Sequence, residues 1–145
     1  MLKKVDPALL NQIKLQGAIC FCEWEGKILM LKRSPHCPQG NLWTAAPGGK
    51  LESGETPIEA VVREVYEETA ITLDPEKLEF KGSYHFHFPD TEYLLHIFLA
   101  KLSFLPTPIL DPKEHTELRW ATPQEALKMP LMRGGTDCLR TVFSL

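Results

Sequence analysis

The chain has 145 residues, of which 43% are hydrophobic and 24% are charged; these proportions are ordinary for one globular domain with a sizeable core. A formal net charge of −3 without any basic run argues against nucleic acid or an anionic membrane as a partner. No apolar run approaches the roughly 20 residues of a membrane span, and the N-terminal residues lack a signal-peptide core. We expect a single cytoplasmic domain over residues 1–145.

The cysteines support a reducing compartment. Cys20, Cys22, Cys37 and Cys138 form no CxxC pair, and the sequence has none of the dense, regular cysteine spacing of small disulfide-rich domains. We therefore expect four reduced thiols. Cys20 and Cys22 alternate within a predicted strand, so both should face the same side of the sheet.

The N-terminal part predicts a short helix followed by a hairpin. Asp6 and a proline after it are typical of a helix start over residues 6–10. Residues 14–24 and 27–32 are rich in β-branched, aromatic and small apolar side chains and are separated by a Glu-Gly turn, which predicts two antiparallel strands. Arg33 follows the second strand, where a guanidinium could contact a phosphate or a base, or simply face solvent. The prolines and glycine of residues 34–41 predict a loop.

A helix is predicted after residue 56. Thr56 suits the N-cap, Pro57 the first helical position and Glu59 the third position of a capping box. Four apolar side chains then recur at helical spacing and predict the face that packs on the core: Ile58, Val61, Val62 and Val65.

Three carboxylates share another arc of the same helix. Glu64, Glu67 and Glu68 lie at i, i+3 and i+4, and such a run is ordinarily a solvated face, because like charges at this spacing repel. Here the helix is preceded by Pro47, Gly48 and Gly49, a predicted glycine turn at which backbone and ligand can approach closely. Hard oxygen ligands in this setting also fit Mg²⁺ or Mn²⁺. The spacing alone leaves both interpretations open.

The C-terminal half predicts three strands and two helices. Residues 78–88 and 93–104 read as strands joined at Pro89-Asp90, residues 106–115 as a loop and residues 117–121 as a short strand. A second capping box begins at Thr122, and two glycines precede a last helix over residues 136–143.

Two histidines in the first of these strands alternate with phenylalanines. His85 and His87 should therefore share a face. A zinc pair is conceivable there, but no third ligand has a fixed spacing from them, so an ordinary strand role is favoured.

The central stretch resembles the signature of a known family. Gly49, Glu55, residues 63–68 (Arg-Glu-Val-Tyr-Glu-Glu) and Ile71 match the spacing of the Nudix box, and the surrounding chain is similar to the MutT-like branch. The resemblance implies an α/β fold, an α/β/α sandwich with a mixed β-sheet. Within the box, Ala70 replaces a glycine that usually ends the helix in a left-handed conformation. We expect either a strained helix end or one extra helical residue.

The resemblance also implies a reaction and a metal. Nudix hydrolases cleave a nucleoside diphosphate linked to another group, with Mg²⁺, or Mn²⁺ in its place, as the cofactor. The ligands implied here are Glu64, Glu67, Glu68 and the Gly48 carbonyl. The general base is implied to be Glu64 or Glu114, with His115 and Asp111 as further candidates.

Supporting residues follow from the same resemblance. Arg33 and Lys50 are candidate substrate contacts through the phosphates. Arg63 should pair with Glu55 and hold the loop against the helix, because on a helical wheel it points about 100° away from the centre of the carboxylates.

Three functions remain open. The first is cleavage of a nucleoside triphosphate, oxidised ones included, to the monophosphate and pyrophosphate. The second is hydrolysis of ADP-ribose or a nucleotide sugar, and the third is a non-catalytic nucleotide-binding module, against which the intact box glutamates argue. The partner in each case is a small nucleotide, and the resemblance allows a monomer or a homodimer.

Overall fold

The computed structural model describes residues 2–9 and 12–145. The helix start predicted at Asp6 is a single 3₁₀ turn over Pro7–Leu9, in which the Ala8 N–H donates to Asp6 Oδ1 at 3.0 Å. The remainder of that prediction falls on Leu10, which lies outside the described residues.

One mixed sheet organises the described part of the chain. β2 and β7 run parallel, and the other pairs are antiparallel. The order is β1-β6-β7-β2-β3-β4, with β5 on β2 and β8 on β3. The strands are β1 Lys3–Lys4, β2 Gln16–Trp24, β3 Lys27–Arg33, β4 Trp43–Thr44, β5 Gly48–Lys50, β6 Glu79–Phe88, β7 Thr91–Lys101 and β8 His115–Ala121.

Helices cover both faces of this sheet, which confirms the predicted α/β/α sandwich. They are α1 Pro57–Thr69, α2 Pro123–Ala126 and α3 Gly135–Phe143. Alternation along β2 divides the core. Cys20 and Cys22 share one face, as predicted, and pack with residues of α1 on that side, whereas Phe21 packs with Leu139 of α3. None of the helices among the described residues has the length and apolarity needed to cross a membrane.

The start of α1 follows the predicted capping box. The Glu59 N–H donates to the Thr56 side chain, and the Thr56 N–H donates to the Glu59 carboxylate. The predicted apolar stripe is correct at Val61 and Val65, which are fully buried. It is wrong at Ile58, which is 39% exposed, and the first fully buried residue of α1 is instead Ala60.

The end of α1 is strained. Ala70 adopts a left-handed conformation, with φ 61° and ψ 13°, and its N–H donates to the Tyr66 carbonyl. The helix therefore stops at Thr69 instead of continuing for an extra residue. An L side chain in this conformation costs about 1–2 kcal/mol, so the chain keeps the geometry of a glycine-ended helix at the expense of some stability.

The sequence predicts a turn and a loop at residues that the structure places in strands. Gly48 and Gly49 do not form a turn but lie in β5, where glycine is needed because a Cβ on Gly48 would collide with the Ala18 carbonyl of β2. His115 belongs to β8 and pairs with Arg33 of β3. Both elements are held by pairing with strands distant in sequence, which local turn signals do not report.

Candidate active site

A cleft opens beside β2, β5 and β7, with a cavity of about 380 Å³. One wall is polar and the other is apolar. The polar wall is formed by Arg33, Gly48, Gly49, Lys50, Glu68 and His115. The apolar wall includes Ile19, Ala46, Tyr93, Leu95 and Met132. The cleft therefore offers both a charged end and an apolar end to a ligand.

Two carboxylates of α1 contact the backbone of β5 directly. A Cβ on Gly49 would lie 2.5 Å from Cδ of Glu64, so no larger residue fits there without moving the carboxylate. The Gly48 N–H donates to Oε1 of Glu68 at 2.7 Å. Gly48 and Gly49 thus position the carboxylates of Glu68, which lines the cleft, and Glu64.

Burial disfavours the ionised form of both carboxylates. Burial raises the pKa of Glu68 to about 8, with the Gly48 hydrogen bond opposing the shift and the charges of Glu64 and Glu114 adding to it. Burial also raises the pKa of Glu64, although Arg63 opposes this. Closely spaced, partly desolvated carboxylates fit a hard divalent cation, which would favour their ionised form. The donor set therefore fits the Mg²⁺ or Mn²⁺ that the sequence implies.

Glu67 lies further out on the same face. Its side chain is 54% exposed and 3.3 Å from Nη1 of Arg63, which places it at the rim of the acidic cluster. Of the three predicted ligands, the structure thus buries Glu68, half-buries Glu64 and leaves Glu67 at the surface.

Arg63 joins the loop and the helix. Its Nε and Nη2 donate to both oxygens of Glu55 at 2.7 and 2.9 Å, as expected from the sequence. The expectation that it points away from the acidic face is wrong, because Nη1 also donates to Glu64 at 2.9 Å and to Glu67. A long side chain with five donors can serve both sides of the helix. Nη2 further donates to the Lys50 carbonyl at 3.2 Å, which ties β5 to α1.

Glu55 is held as a carboxylate. The hydrogen bonds from Arg63, and then that from the Glu52 N–H, lower the pKa of Glu55 to about 2. Glu55 is therefore ionised at moderate pH, and its ion pair with Arg63 persists there.

The structure also brings the β8 end into the cleft. Ligand atoms of Glu68, Glu114 and His115 all lie within 4.8 Å of one another. The Ser34 N–H donates to the Glu114 carbonyl at 2.8 Å, which fixes this loop to the end of β3. The carbonyl of Asp111 accepts the N–H groups of Glu114 and His115, so Asp111 shapes the turn. Glu114 is exposed and faces the acidic cluster.

His115 is the least expected member of the site. It is 1% exposed, with Nε2 3.7 Å from Oε2 of Glu68, and burial lowers its pKa to about 4. The imidazole is thus neutral near pH 7. Among the described residues its Nδ1 has no hydrogen-bond partner. The sequence offered His115 only as a secondary base, because nothing in its spacing showed that β8 begins there.

The two predicted phosphate contacts both line the cleft. Nε and Nη2 of Arg33 donate to the Pro38 carbonyl at 3.3 and 3.2 Å, which orients the guanidinium. Its positive charge opposes the rise in the pKa of Glu68 and adds to the fall in the pKa of His115. Lys50 sits on β5 next to the paired glycines and is exposed.

The apolar wall was not predicted. Tyr93 and Leu95 come from β7, and Met132 comes from the segment before α3. The Met132 N–H donates to the Trp43 carbonyl at 2.9 Å. These residues are far apart in sequence and have no shared spacing. Only the alternation along β7 indicates that Tyr93 and Leu95 share a face.

Comparison with known proteins shows the family of the chain. The family model described as NUDIX domain matches residues 15–140. The chain belongs to the Nudix family. It is 33% identical over 136 residues to a CTP pyrophosphohydrolase of Escherichia coli, covering 94% of this chain and 95% of that protein.

Two further relatives place it in the MutT-like branch of the Nudix hydrolases. An 8-oxo-dGTP diphosphatase of E. coli is 44% identical over 89 residues, which cover 61% of this chain and 67% of the relative. The crystal structure of a MutT Nudix hydrolase from Burkholderia pseudomallei superposes with a TM-score of 0.75 at 26% identity, covering 88% of this chain and 97% of the other. The protein is thus a Nudix hydrolase that acts on phosphoric anhydride bonds of small nucleotides with a divalent metal ion.

The raised pKa of Glu68 predicts a pH-dependent stability of the metal-free protein. The group ionises near its ordinary value of 4.5 in the unfolded chain but only near 8 in the folded one. The folded state therefore binds the extra proton between these values, and stability falls as pH rises through this window. Glu68→Gln removes that loss.

We expect the melting temperature of the metal-free wild type to fall between pH 5 and pH 8 by about 5 °C more than that of Glu68→Gln. Thermal unfolding in the presence of a chelator measures this difference. Glu117→Gln, which neutralises an exposed carboxylate, should follow the wild type. Parallel curves for wild type and Glu68→Gln would contradict the assigned burial of this charge.

Proposed function

We propose that this protein is a Mg²⁺-dependent pyrophosphohydrolase that cleaves a nucleoside triphosphate to the nucleoside monophosphate and pyrophosphate. The observation that carries the proposal is the cleft itself, which Glu68 of α1 lines together with apolar residues suited to a nucleoside. The nearly full-length similarity to a CTP pyrophosphohydrolase makes CTP the first substrate to test. The similarity to an 8-oxo-dGTP diphosphatase adds oxidised nucleotides.

In this proposal Glu64, Glu67, Glu68 and the Gly48 carbonyl hold Mg²⁺, or Mn²⁺ in its place. The bound ion would neutralise the polyphosphate and lower the pKa of a coordinated water. The support is the close contact of Glu64 with Gly49 and the hydrogen bond from Gly48 to Glu68, which hold the carboxylate oxygens in place before an ion binds. Desolvation of Glu68 makes an opposing cation necessary to keep it ionised near pH 7.

Glu114 is our choice for the general base. Its carboxylate is exposed to water, lies close to Glu68 and His115 and is anchored through the backbone to β3. It takes a proton from the attacking water as the new P–O bond forms and the P–O–P linkage breaks, so pyrophosphate leaves. Glu64 is less suitable, because Arg63 donates to it and its carboxylate packs on Gly49.

Arg33 and Lys50 are assigned to the phosphates. Both line the polar wall, and both carry charge of the sign that a triphosphate requires. The ion pair of Arg63 with Glu55 supports the site from outside, since it fixes the loop that precedes α1.

The proposal treats residues 1–145 as one Nudix domain acting in the cytoplasm. The sheet runs from Lys3 to Ala121, and α3 packs on the same core, which supports one folding unit. The free thiols Cys20, Cys22, Cys37 and Cys138 suit a reducing compartment.

A product assay tests the substrate class. With Mg²⁺ present, we expect CTP or another nucleoside triphosphate in a panel to yield pyrophosphate in equal amount with the monophosphate, and little orthophosphate. The panel should include 8-oxo-dGTP and ADP-ribose. Glu68→Gln, as the matched inactive variant, should release neither product.

Orthophosphate as the main product, or a preference for ADP-ribose, would contradict the triphosphate proposal. Inactivity on every substrate by a folded protein that still binds nucleotide would favour a non-catalytic binding module.

A second experiment separates the two candidate bases. Glu114→Gln should lower kcat by about 10²–10⁴-fold and leave Mn²⁺ affinity close to that of the wild type. Glu64→Gln should weaken Mn²⁺ binding as well as turnover, because it removes a ligand. Glu117→Gln, which changes an exposed carboxylate in the following strand β8, serves as the control and should retain full activity. A near-normal kcat for Glu114→Gln would remove this residue from the mechanism.

A further inference from the structure

We propose a second metal site, at the end of the β6–β7 hairpin, in which His85, His87 and Glu92 bind Zn²⁺ or a similar ion that prefers imidazole. The proposal is independent of the hydrolytic function. Within the described part of the chain, the lining of the catalytic cavity includes none of these three residues.

The hairpin register brings the three side chains together. His85 and His87 are two residues apart on β6 and therefore share a face. Glu92 of β7 is the direct cross-strand partner of His87. One ligand atom from each residue lies within 4.8 Å of the other two. Glu92, on the other strand of the hairpin, is therefore the third ligand that sequence spacing alone did not indicate.

The distances are close to those of a zinc site. Nε2 of His85 is 2.8 Å from Oε1 of Glu92, and Nδ1 of His87 is 3.7 Å from Oε2. Tetrahedral Zn²⁺ with bonds of about 2.0–2.2 Å keeps its ligand atoms about 3.3–3.5 Å apart. A small rotation of the His85 side chain or of the carboxylate therefore suffices to admit the ion, which takes the place of a proton shared between imidazole and carboxylate.

Exposure favours entry of an ion. The His87 side chain is 72% exposed and that of Glu92 is 47% exposed, so water can complete the coordination sphere. His96 on β7 is the informative contrast, since Ser83 and Gln16 hydrogen-bond to both of its ring nitrogens. Two imidazoles and one carboxylate select Zn²⁺, Ni²⁺ or Cu²⁺ over Mg²⁺, which separates this site chemically from the carboxylates of α1.

A bound ion would join β6 to β7 beside their turn. On the other face of the same hairpin, Phe86 stacks on Tyr93 at 5.0 Å between centroids, and Tyr93 lines the cleft. Zn²⁺ would therefore stabilise the strand pair that carries part of the apolar wall.

The test is a Zn²⁺ titration of the full chain by calorimetry in a large excess of Mg²⁺, which occupies the carboxylate site. We expect one Zn²⁺ per chain from this hairpin. The variants His87→Ala and Glu92→Gln should each weaken its binding by about tenfold or more. His36→Ala, which removes an exposed histidine from the 34–41 loop, is the matched control and should bind as the wild type does.

Amide chemical shifts locate the ion independently of affinity. Zn²⁺ should perturb residues 85–92 in the wild type but not in His87→Ala, and it should raise the melting temperature of the former more than that of the latter. Any Zn²⁺ that displaces Mg²⁺ from the catalytic carboxylates does so in both proteins and cancels in the difference. Equal affinity of wild type and His87→Ala, or shifts confined to residues 48–49 and 114–115, would overturn the proposal.

Discussion

The site depends on the contact between a helix and a strand that has no side chains at the point of contact. Glu64 packs its carboxylate on the Gly49 backbone, and Glu68 accepts the Gly48 N–H. Gly48 in turn lies too close to the Ala18 carbonyl of β2 to carry a Cβ. At this point α1 contacts the backbone of β5 directly, so the positions of the carboxylate oxygens of Glu64 and Glu68 follow from the packing of the fold.

The rest of the box maintains this contact. The capping box fixes where α1 begins, Arg63 ties the preceding loop and the Lys50 carbonyl to the helix, and the left-handed turn at Ala70 fixes where it ends. The strain at Ala70, about 1–2 kcal/mol, is tolerated since Val61 and Val65 are fully buried against the sheet. A bound cation would relieve the electrostatic repulsion within the acidic cluster.

Local features of the sequence predicted local structure well. The β2–β3 hairpin, both capping boxes and the β6–β7 pair follow from spacing and turn residues within about 25 positions. Two of the errors concern contacts between distant segments, and a third concerns the reach of one side chain. β5 forms because β2 is its partner, β8 starts at His115 because β3 extends that far, and Arg63 reaches Glu64 and Glu67 because its side chain is longer than a helical wheel represents. The apolar wall was missed because its residues come from distant segments. Glu92 was missed because the predicted strand began at residue 93, whereas β7 begins at Thr91.

The most direct test of the account is the Mn²⁺ affinity of Gly49→Ala, measured by the electron paramagnetic resonance of free Mn²⁺. The added Cβ would lie 2.5 Å from Cδ of Glu64, so we expect a folded protein whose affinity is about tenfold or more weaker. Gly54→Ala, in the loop that follows β5, has open space around its Cβ position but a left-handed backbone with φ +81°. It therefore introduces backbone strain without a collision at a carboxylate, and it should bind Mn²⁺ normally. Wild-type affinity in Gly49→Ala would contradict the claim that the glycine strand positions the metal-binding carboxylates.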